Sequence, residues 1–322
     1  MPESEKKPFF TIVIPSYNEK DDVRIAIDSA ISQTYPLKEI VVVDDSNDGG
    51  ATQAIIGEYA SQGVKLINGP RKGCCEARNL GIKDAQGDVI LILHADVAIP
   101  KDFLERVAKH YEAGADWVQV RSQVFNTDEL FARFVELQYL AFSFPRDNVW
   151  GTEGMSFRRD AALKVSGYTG EFSVKFCRDW TLGKKLTEAG YKKVLDRSII
   201  VTHKAPGELK EYWQVRKTRG RFAALLQYYM WKRSVFYLGF KFLAKDFIFV
   251  LNFLTFFNPA RWSWQLSRLS DKPHDFWPMF YAYFLQEAAI RIGEWEGMKV
   301  VFKTRKRFAK ERVREDLHHL RR

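Results

Sequence analysis

The stretch Asp88-Val-Ile-Leu-Ile-Leu-His-Ala-Asp96 decides the fold class of this 322-residue chain. Five apolar residues bounded by polar ones predict a strand that is buried on both faces of a sheet. An aspartate at the C-terminal tip of such a strand lies where open α/β sheets bind their ligands. Its carboxylate can hold Mg²⁺ or Mn²⁺ on a diphosphate, or it can cap the turn that follows the strand.

Runs with the length of strands alternate with helical patterns across the first two hundred residues. This alternation predicts an α/β fold with a mainly parallel, Rossmann-like sheet flanked by helices. The predicted strands are 10–14, 40–43, 64–67, 89–93 and 117–124, and the predicted helices between them are 22–33, 51–61, 75–84 and 101–111.

The charge balance indicates an anionic partner. Fifty Lys and Arg against forty Asp and Glu give a net charge of +10, which suits a nucleotide, a phospholipid surface or nucleic acid. No nucleic-acid-binding motif accompanies the charge, so we favour the first two. Residues 1–8 do not resemble a signal peptide, and three cysteines without metal-ligand spacing suit a reducing compartment. We therefore expect a cytoplasmic protein.

The composition changes near residue 210, where the chain becomes rich in aromatics and cations. We predict a catalytic domain over residues 1–210 and a helical region over 211–322. The apolar run 247–257 is shorter than the roughly 20 residues that span a membrane. The last twenty residues hold nine Lys or Arg and three Asp or Glu. They form a solvated helix end or add attraction to anionic lipid.

A polar stripe crosses the apolar part of this region. Lys241, Lys245 and Asn252 fall on one side of a predicted helix whose remaining surface is Phe, Tyr, Leu and Ile. Such a helix either lies in the headgroup plane on the cytosolic face of a membrane or is buried against the α/β domain. Both alternatives stay open at the level of sequence.

Polar side chains follow the first two predicted strands. Pro15 is expected to end the first strand because it has no N–H for the ladder. Tyr17 then offers a flat face for a base, and Glu19 offers a carboxylate for a ribose or a cap for the next helix. Asp44 and Asp45 end the second strand, where a carboxylate can accept hydrogen bonds from ribose hydroxyls or a base N–H.

Four segments, taken in order and spacing, resemble family 2 glycosyltransferases of the GT-A fold over roughly the first 220 residues. Four motifs in register are specific where each alone is not. The resemblance implies an inverting transfer of a sugar from a UDP- or GDP-sugar, with Mn²⁺ or Mg²⁺ as cofactor. The segments are Pro15-Ser-Tyr-Asn-Glu19, Val43-Asp-Asp-Ser46, Ala77-Arg-Asn-Leu-Gly81 and Leu93-His-Ala-Asp96.

The resemblance also assigns the donor-binding residues. Asp96 matches the metal ligand of the family's Asp-x-Asp motif, whereas His94 replaces its first aspartate. A neutral imidazole still forms hydrogen bonds and is a borderline ligand that suits Mn²⁺ better than Mg²⁺. The full donor set implied is Pro15, Tyr17, Glu19, Asp44, Asp45, Arg78, His94, Ala95 and Asp96.

A second group of residues is implied on the acceptor and leaving-group side. Asp179 matches the family's catalytic base, although it could also cap the following helix, and the neighbouring Arg178 would lower its pKa. His203, after a predicted strand, resembles a metal-side or diphosphate-side histidine. The remaining residues are Gly151, Thr152, Glu153 and Gly154 next to the acceptor, and Arg216, Lys217 and Arg219, which neutralise the leaving diphosphate or form a basic helix face.

A general base is needed for a hydroxyl acceptor but not for a phosphate, which is already an anion. Asp179 therefore favours a saccharide hydroxyl, including one carried on a lipid. Two alternatives stay open: a polyprenyl-phosphate glycosyltransferase, and a nucleotide-sugar-binding protein without catalysis.

Overall fold

The computed structural model describes residues 7–143, 153–168, 170–171, 176–177, 181–272 and 274–319. The chain divides into two compact units. The first comprises residues up to 125 together with 142–205, and the second comprises 126–141 together with 206–322. The sequence predicts a boundary near residue 210, whereas the second unit also takes in a stretch from the middle of the first.

The first unit is built on a sheet whose strands match the predicted positions closely. All five strands predicted between residues 10 and 124 are present, and the α/β fold class is confirmed. The described strands are β1 (Phe10–Ser16), β2 (Lys38–Asp44), β3 (Val64–Asn68), β4 (Val89–Ile92), β5 (Val97–Ala98), β6 (Trp117–Val124), β7 (Ser156–Arg158), β8 (Gly170–Glu171), β9 (Phe176–Cys177) and β10 (Lys193–His203).

Eight of these strands form one mixed sheet in the order β3-β2-β1-β4-β7-β6-β10-β5, and β8 pairs with β9 separately. Parallel pairs join β1 to β2, β1 to β4, β2 to β3 and β6 to β10. The short β7 runs antiparallel between β4 and β6. The prediction that Pro15 ends the first strand is wrong, because pairing with β2 continues to Ser16 and a proline near a strand end costs only one ladder bond.

Helices cover both faces of this sheet. Because alternate side chains of a strand point to opposite faces, Ile12 and Ile14 join one core layer and Val13 the other. The first layer is closed by α1 and α4, and the second by α3, α6 and α7. The helices are α1 (Val23–Ile31), α2 (Ala51–Gly57), α3 (Cys74–Asp84), α4 (Phe103–Glu112), α5 (Leu130–Gln138), α6 (Arg159–Lys164) and α7 (Thr181–Glu188), of which α5 belongs to the second unit.

The second unit is helical, as the sequence predicts. A buried ion pair attaches α5 to it: Arg133 Nε lies 2.7 Å from Asp275 Oδ2, and a second guanidinium nitrogen lies 3.0 Å from Oδ1. None of the described helices is both long and apolar enough to cross a bilayer. Besides α5, the unit contains α8 (Leu209–Leu225), α9 (Val235–Thr255), α10 (Phe257–Ser267) and α11 (Phe276–His319).

Glycines let α8 and α11 pack backbone against backbone. A Cβ on Gly293 would lie 1.9 Å from the Lys217 carbonyl oxygen, and one on Gly220 would lie 2.2 Å from the Ile290 carbonyl oxygen. A Cβ on Gly297 would lie 2.6 Å from the Arg221 carbonyl oxygen. These three positions therefore exclude any side chain while the helices keep their present separation.

We expect Gly293→Ala to lower the free energy of unfolding by about 1–3 kcal/mol, because the added methyl must push two backbones apart. Gly239→Ala is the matched control: it also lies inside a helix, but nothing lies within 4 Å of its Cβ position. The control should be neutral or stabilise by up to about 1 kcal/mol through helix propensity. Urea unfolding of both variants measures the difference, and equal effects would contradict the packing argument.

A second prediction concerns Asp196, which sits at the irregularity in β10. Burial alone would raise its pKa, but hydrogen bonds from Ser198 and from His110, 2.9 Å away, outweigh burial and lower the pKa from 3.8 to about 2. Because the folded-state pKa is depressed, the stabilisation is present above about pH 4 and is lost as the pH falls toward 2. Asp196→Asn should therefore lower the free energy of unfolding at pH 7 by about 2 kcal/mol, as measured by urea unfolding. A difference that does not shrink on acidification would refute this assignment.

Candidate functional site

The loops after β1 and β2 are joined to each other. Asn18 adopts a left-handed conformation (φ +57°) and donates its backbone N–H to Ser46 Oγ at 2.8 Å. Its side-chain amide exchanges two hydrogen bonds with Asn47, of 2.8 and 2.9 Å. Sequence analysis missed this role of Asn18, although asparagine is the side chain that tolerates a positive φ best after glycine. The pairing holds the neighbouring Tyr17, whose surface is 51% exposed, at the edge of the sheet.

The two predicted aspartates after β2 have different surroundings. Asp45 is buried and accepts the backbone N–H groups of Arg71 and Gly73, so it holds the loop that follows β3. Asp44 accepts the Ser46 hydroxyl on Oδ1, while its buried Oδ2 has no hydrogen-bond partner among the described residues. Asp44 therefore retains acceptor capacity for a ligand, and Asp45 acts mainly on the loop.

Helix α3 delivers Arg78 to the same edge. The helix approaches β1 so closely that a Cβ on Gly81 would lie 2.3 Å from Val13 Cγ1. Arg78 is buried, lies over the Tyr168 ring at 5.3 Å, and places a guanidinium nitrogen 3.0 Å from His94 Nε2. Because a guanidinium only donates hydrogen bonds, His94 Nε2 is the acceptor and the ring proton is on Nδ1. His94 thus orients Arg78 and keeps no ring lone pair for a metal in this arrangement.

Carboxylates crowd around Asp96, between β4 and β5. Burial raises the pKa of Asp96, as does the charge of Glu153, while His94 and His203 oppose the increase. Burial and the charge of Asp96 raise the pKa of Glu19 from 4.5 to about 7. The charge of Asp96 therefore opposes ionisation of Glu19, and the charge of Glu153 opposes ionisation of Asp96, which favours binding of a cation beside Asp96.

The donor atoms near Asp96 determine whether this place suits Mn²⁺ or Mg²⁺. Within the described part of the chain, no three His, Cys, Asp or Glu side chains form a group able to hold a metal ion by themselves. Such ions usually take one or two carboxylates and complete their shell with substrate phosphates and water. His203 Nδ1 lies 3.1 Å from the Lys204 carbonyl and donates to it, which leaves the ligating lone pair on Nε2. Asp96 and His203 fit an ion that is shared with a diphosphate.

The other predicted residues of the first unit that the structure describes lie in the sheet or in tightly packed surroundings. Pro15 lies in β1 level with Val43, and Ala95 is buried. Gly154 (φ +70°) packs so tightly that a Cβ would lie 2.8 Å from Val201 Cγ1, which sets the position of the adjacent Glu153. Gly151, Thr152 and Asp179 lie outside the described residues.

The three predicted cations of the second unit differ from one another. Arg216 is buried over the Tyr212 ring at 4.8 Å, and burial together with the charge of Arg219 lowers its pKa to about 10. Lys217 pairs with Glu296 at 3.2 Å. Arg219 is exposed. Lys217 therefore serves the contact between α8 and α11, and Arg219 is the most accessible of the three.

Comparison with known proteins agrees with this architecture. The model of the family described as "Glycosyl transferase family 2" matches residues 11–165. Glycosyltransferase AglE of Haloferax volcanii is 28% identical over 224 residues, which cover 65% of this chain and 72% of AglE. The UDP-Glc:alpha-D-GlcNAc-diphosphoundecaprenol beta-1,3-glucosyltransferase WfgD of Escherichia coli is 25% identical over 41% of this chain, and the match spans 53% of WfgD.

A solved structure supports the fold. The mannosyltransferase PcManGT from Pyrobaculum calidifontis, in complex with GDP-Man and Mn²⁺, superposes with a TM-score of 0.52 at 16% identity. The superposition covers 92% of this chain and 76% of PcManGT. Over residues 11–165 the chain therefore matches glycosyl transferase family 2, and its architecture is that of the GT-A fold.

Proposed function

We propose that this chain transfers a sugar from a nucleotide diphosphate sugar to a hydroxyl group of a saccharide, with inversion at the anomeric carbon. The observation that carries the proposal is the cluster of Glu19, Asp96 and Glu153 beside Arg78, at the edge where the parallel strands end. Charge of both signs at this edge suits a ligand that brings a phosphate and a cation together. The Mn²⁺ and GDP-Man bound by PcManGT support the same pairing.

In this proposal, different residues of the site bind different parts of the sugar donor. Tyr17 offers an exposed ring for the base, and Asp44 Oδ2 offers a buried acceptor for a ribose hydroxyl or a base N–H. Arg78, oriented by His94, supplies positive charge on the diphosphate side. Asp96 and His203 would hold a divalent ion, which would supply Lewis-acid stabilisation of negative charge on the leaving diphosphate. Burial and the charge of Asp96 raise the pKa of Glu19 by more than the backbone hydrogen bond at Tyr17 and the charge of Arg78 lower it.

The acceptor follows from Asp179. As general base this residue takes the proton of an attacking hydroxyl, which a phosphate acceptor does not require. The name of WfgD describes transfer onto a diphosphoundecaprenol-linked sugar, and we propose a lipid-linked saccharide as the acceptor class here. A polyprenyl phosphate as direct acceptor is the second candidate. A binding protein without catalysis is the third, favoured by the replacement of two expected acids by His94 and Arg178.

We expect Asp96→Asn to lower Mn²⁺-dependent hydrolysis of a nucleotide-sugar donor by about 100-fold or more, because the amide cannot replace the charge of the metal-binding carboxylate. Calorimetric titration should show that UDP or GDP no longer binds more tightly when Mn²⁺ is added. Asp160→Asn, which changes an exposed aspartate of α6, is the matched control. Unchanged metal-dependent hydrolysis in Asp96→Asn would refute the assignment of this residue.

Asp179→Asn tests the acceptor. Transfer to a saccharide hydroxyl should fall by about 10² to 10⁴, the range that general-base catalysis contributes. Binding of the nucleotide and Mn²⁺ should persist, since the donor is held by other residues. Transfer to polyprenyl phosphate that survives in Asp179→Asn would favour the second candidate. Hydroxyl transfer at the parental rate would show that Asp179 is not the general base.

A further inference from the structure

Helix α9 turns an apolar face to the outside of the molecule. Phe236 is 90% exposed, Phe240 77% and Phe247 70%. The spacing of the exposed residues, alternately three and four, places them on one side of the helix. We call this side the outward face of α9; it consists of Phe236, Phe240, Leu243, Phe247, Val250 and Leu254.

The polar stripe of α9 faces the protein instead. Lys241 Nζ lies 2.6 Å from Gln227 Oε1, and Lys245 Nζ lies 2.5 Å from Glu294 Oε1. Asp246 accepts the indole N–H of Trp295 at 2.7 Å. In water the opposite arrangement is favoured, with charges exposed and aromatic rings buried. Helix α9 therefore directs these polar groups toward the second unit. It buries Leu238 and Phe242 but leaves most of its other apolar residues exposed.

The outward face continues beyond α9. Ring contacts connect the end of α9 to the start of α11: Phe256 and Phe280 lie 5.8 Å apart, and Phe280 and Trp277 lie 5.6 Å apart. Trp277 is 69% exposed, and Trp264 of α10 is 55% exposed. Tryptophan is the side chain enriched where apolar and aqueous phases meet. Exposed apolar side chains grouped in this way mark a site of docking.

Cations accompany this surface. Residues 231–269 contain six Lys or Arg and a single acid, Asp246, which is the partner of Trp295. Lys232 and Arg233 precede α9, and Arg261 and Arg268 lie on and after α10; all four are exposed. A symmetric contact with a second copy would bring these like charges toward one another, which costs free energy. An anionic lipid surface matches both the charge and the apolar face.

We propose that the outward face of α9 docks in the plane of an anionic membrane leaflet, with its aromatic rings among the acyl chains and Lys232, Arg233, Arg261 and Arg268 at the headgroups. The docking stands without the proposed reaction, and it would bring the enzyme to a lipid-linked acceptor. The proposal develops the headgroup-plane alternative of the sequence analysis and adds an orientation, in which the Lys241–Lys245 stripe contacts protein rather than headgroups.

Flotation of the full chain with phosphatidylcholine vesicles, with and without phosphatidylglycerol, tests the proposal. The parent chain should float with the anionic vesicles and less with the neutral ones. Phe240→Glu combined with Phe247→Glu should lower partitioning by about tenfold or more, because each removes an inserting ring. Lys232→Gln combined with Arg233→Gln should lower partitioning about 25-fold on anionic vesicles only, at about fivefold for each cation.

Leu163→Glu is the matched control, since Leu163 is 42% exposed on α6 of the first unit. It should float like the parent chain. Light scattering without lipid and donor hydrolysis are measured on every variant, so that loss of docking is told apart from loss of fold or of the proposed activity. The proposal is overturned if the parent chain ignores anionic vesicles or if the Phe240 and Phe247 variant floats equally well. A lipid-free dimer that this variant dissociates, without vesicle binding by the parent chain, also overturns it.

Discussion

Parallel pairing of β1 with both β2 and β4 is the constraint on which the candidate site depends. It sets Ser16 level with Asp44 and Val13 level with Ile92, so the loops after these strands leave the sheet at one edge. The charges of carboxylates that are far apart in sequence, Glu19 and Asp96, then act on one another at half-buried positions. Their crowding opposes ionisation, and the fold bears that cost because the strands on which these groups depend are held in register by the buried core on both faces.

Small residues and hydrogen bonds refine what the sheet positions. Gly81 lets α3 lie against Val13, which brings Arg78 within reach of His94. A bulkier residue at position 81 would lift the helix and separate that pair. The arginine in turn decides which nitrogen of His94 carries the proton. The replacement of an expected aspartate by histidine therefore changes a hydrogen-bond acceptor for Arg78, and Asp96 alone keeps the carboxylate of this motif.

The positions of the central elements could be predicted from the sequence because buried parallel strands and amphipathic helices have distinct periodicities. Features that depend on distant partners could not. Strand β7 has three residues, too few for any periodicity, and it enters the sheet by pairing with β4 and β6. The stretch 126–141 joins the second unit through Arg133 and Asp275, which are 142 residues apart. The separate roles of Asp44 and Asp45 depend on the backbone amides of Arg71 and Gly73, which no pattern around residue 44 reveals.

Helix α9 illustrates the same limit most sharply. A stripe of lysines on an apolar helix indicates that the two sides of the helix differ in polarity, but it does not indicate which side faces water. The deciding groups are Gln227, Glu294 and Trp295, which lie on other parts of the second unit and take up the polar side chains of the stripe. With those partners in place, turning the helix to bury its exposed rings would break these three polar contacts. The apolar side is therefore the side that remains exposed. A surface that is both apolar and flanked by cations is suited to an anionic lipid membrane rather than to water.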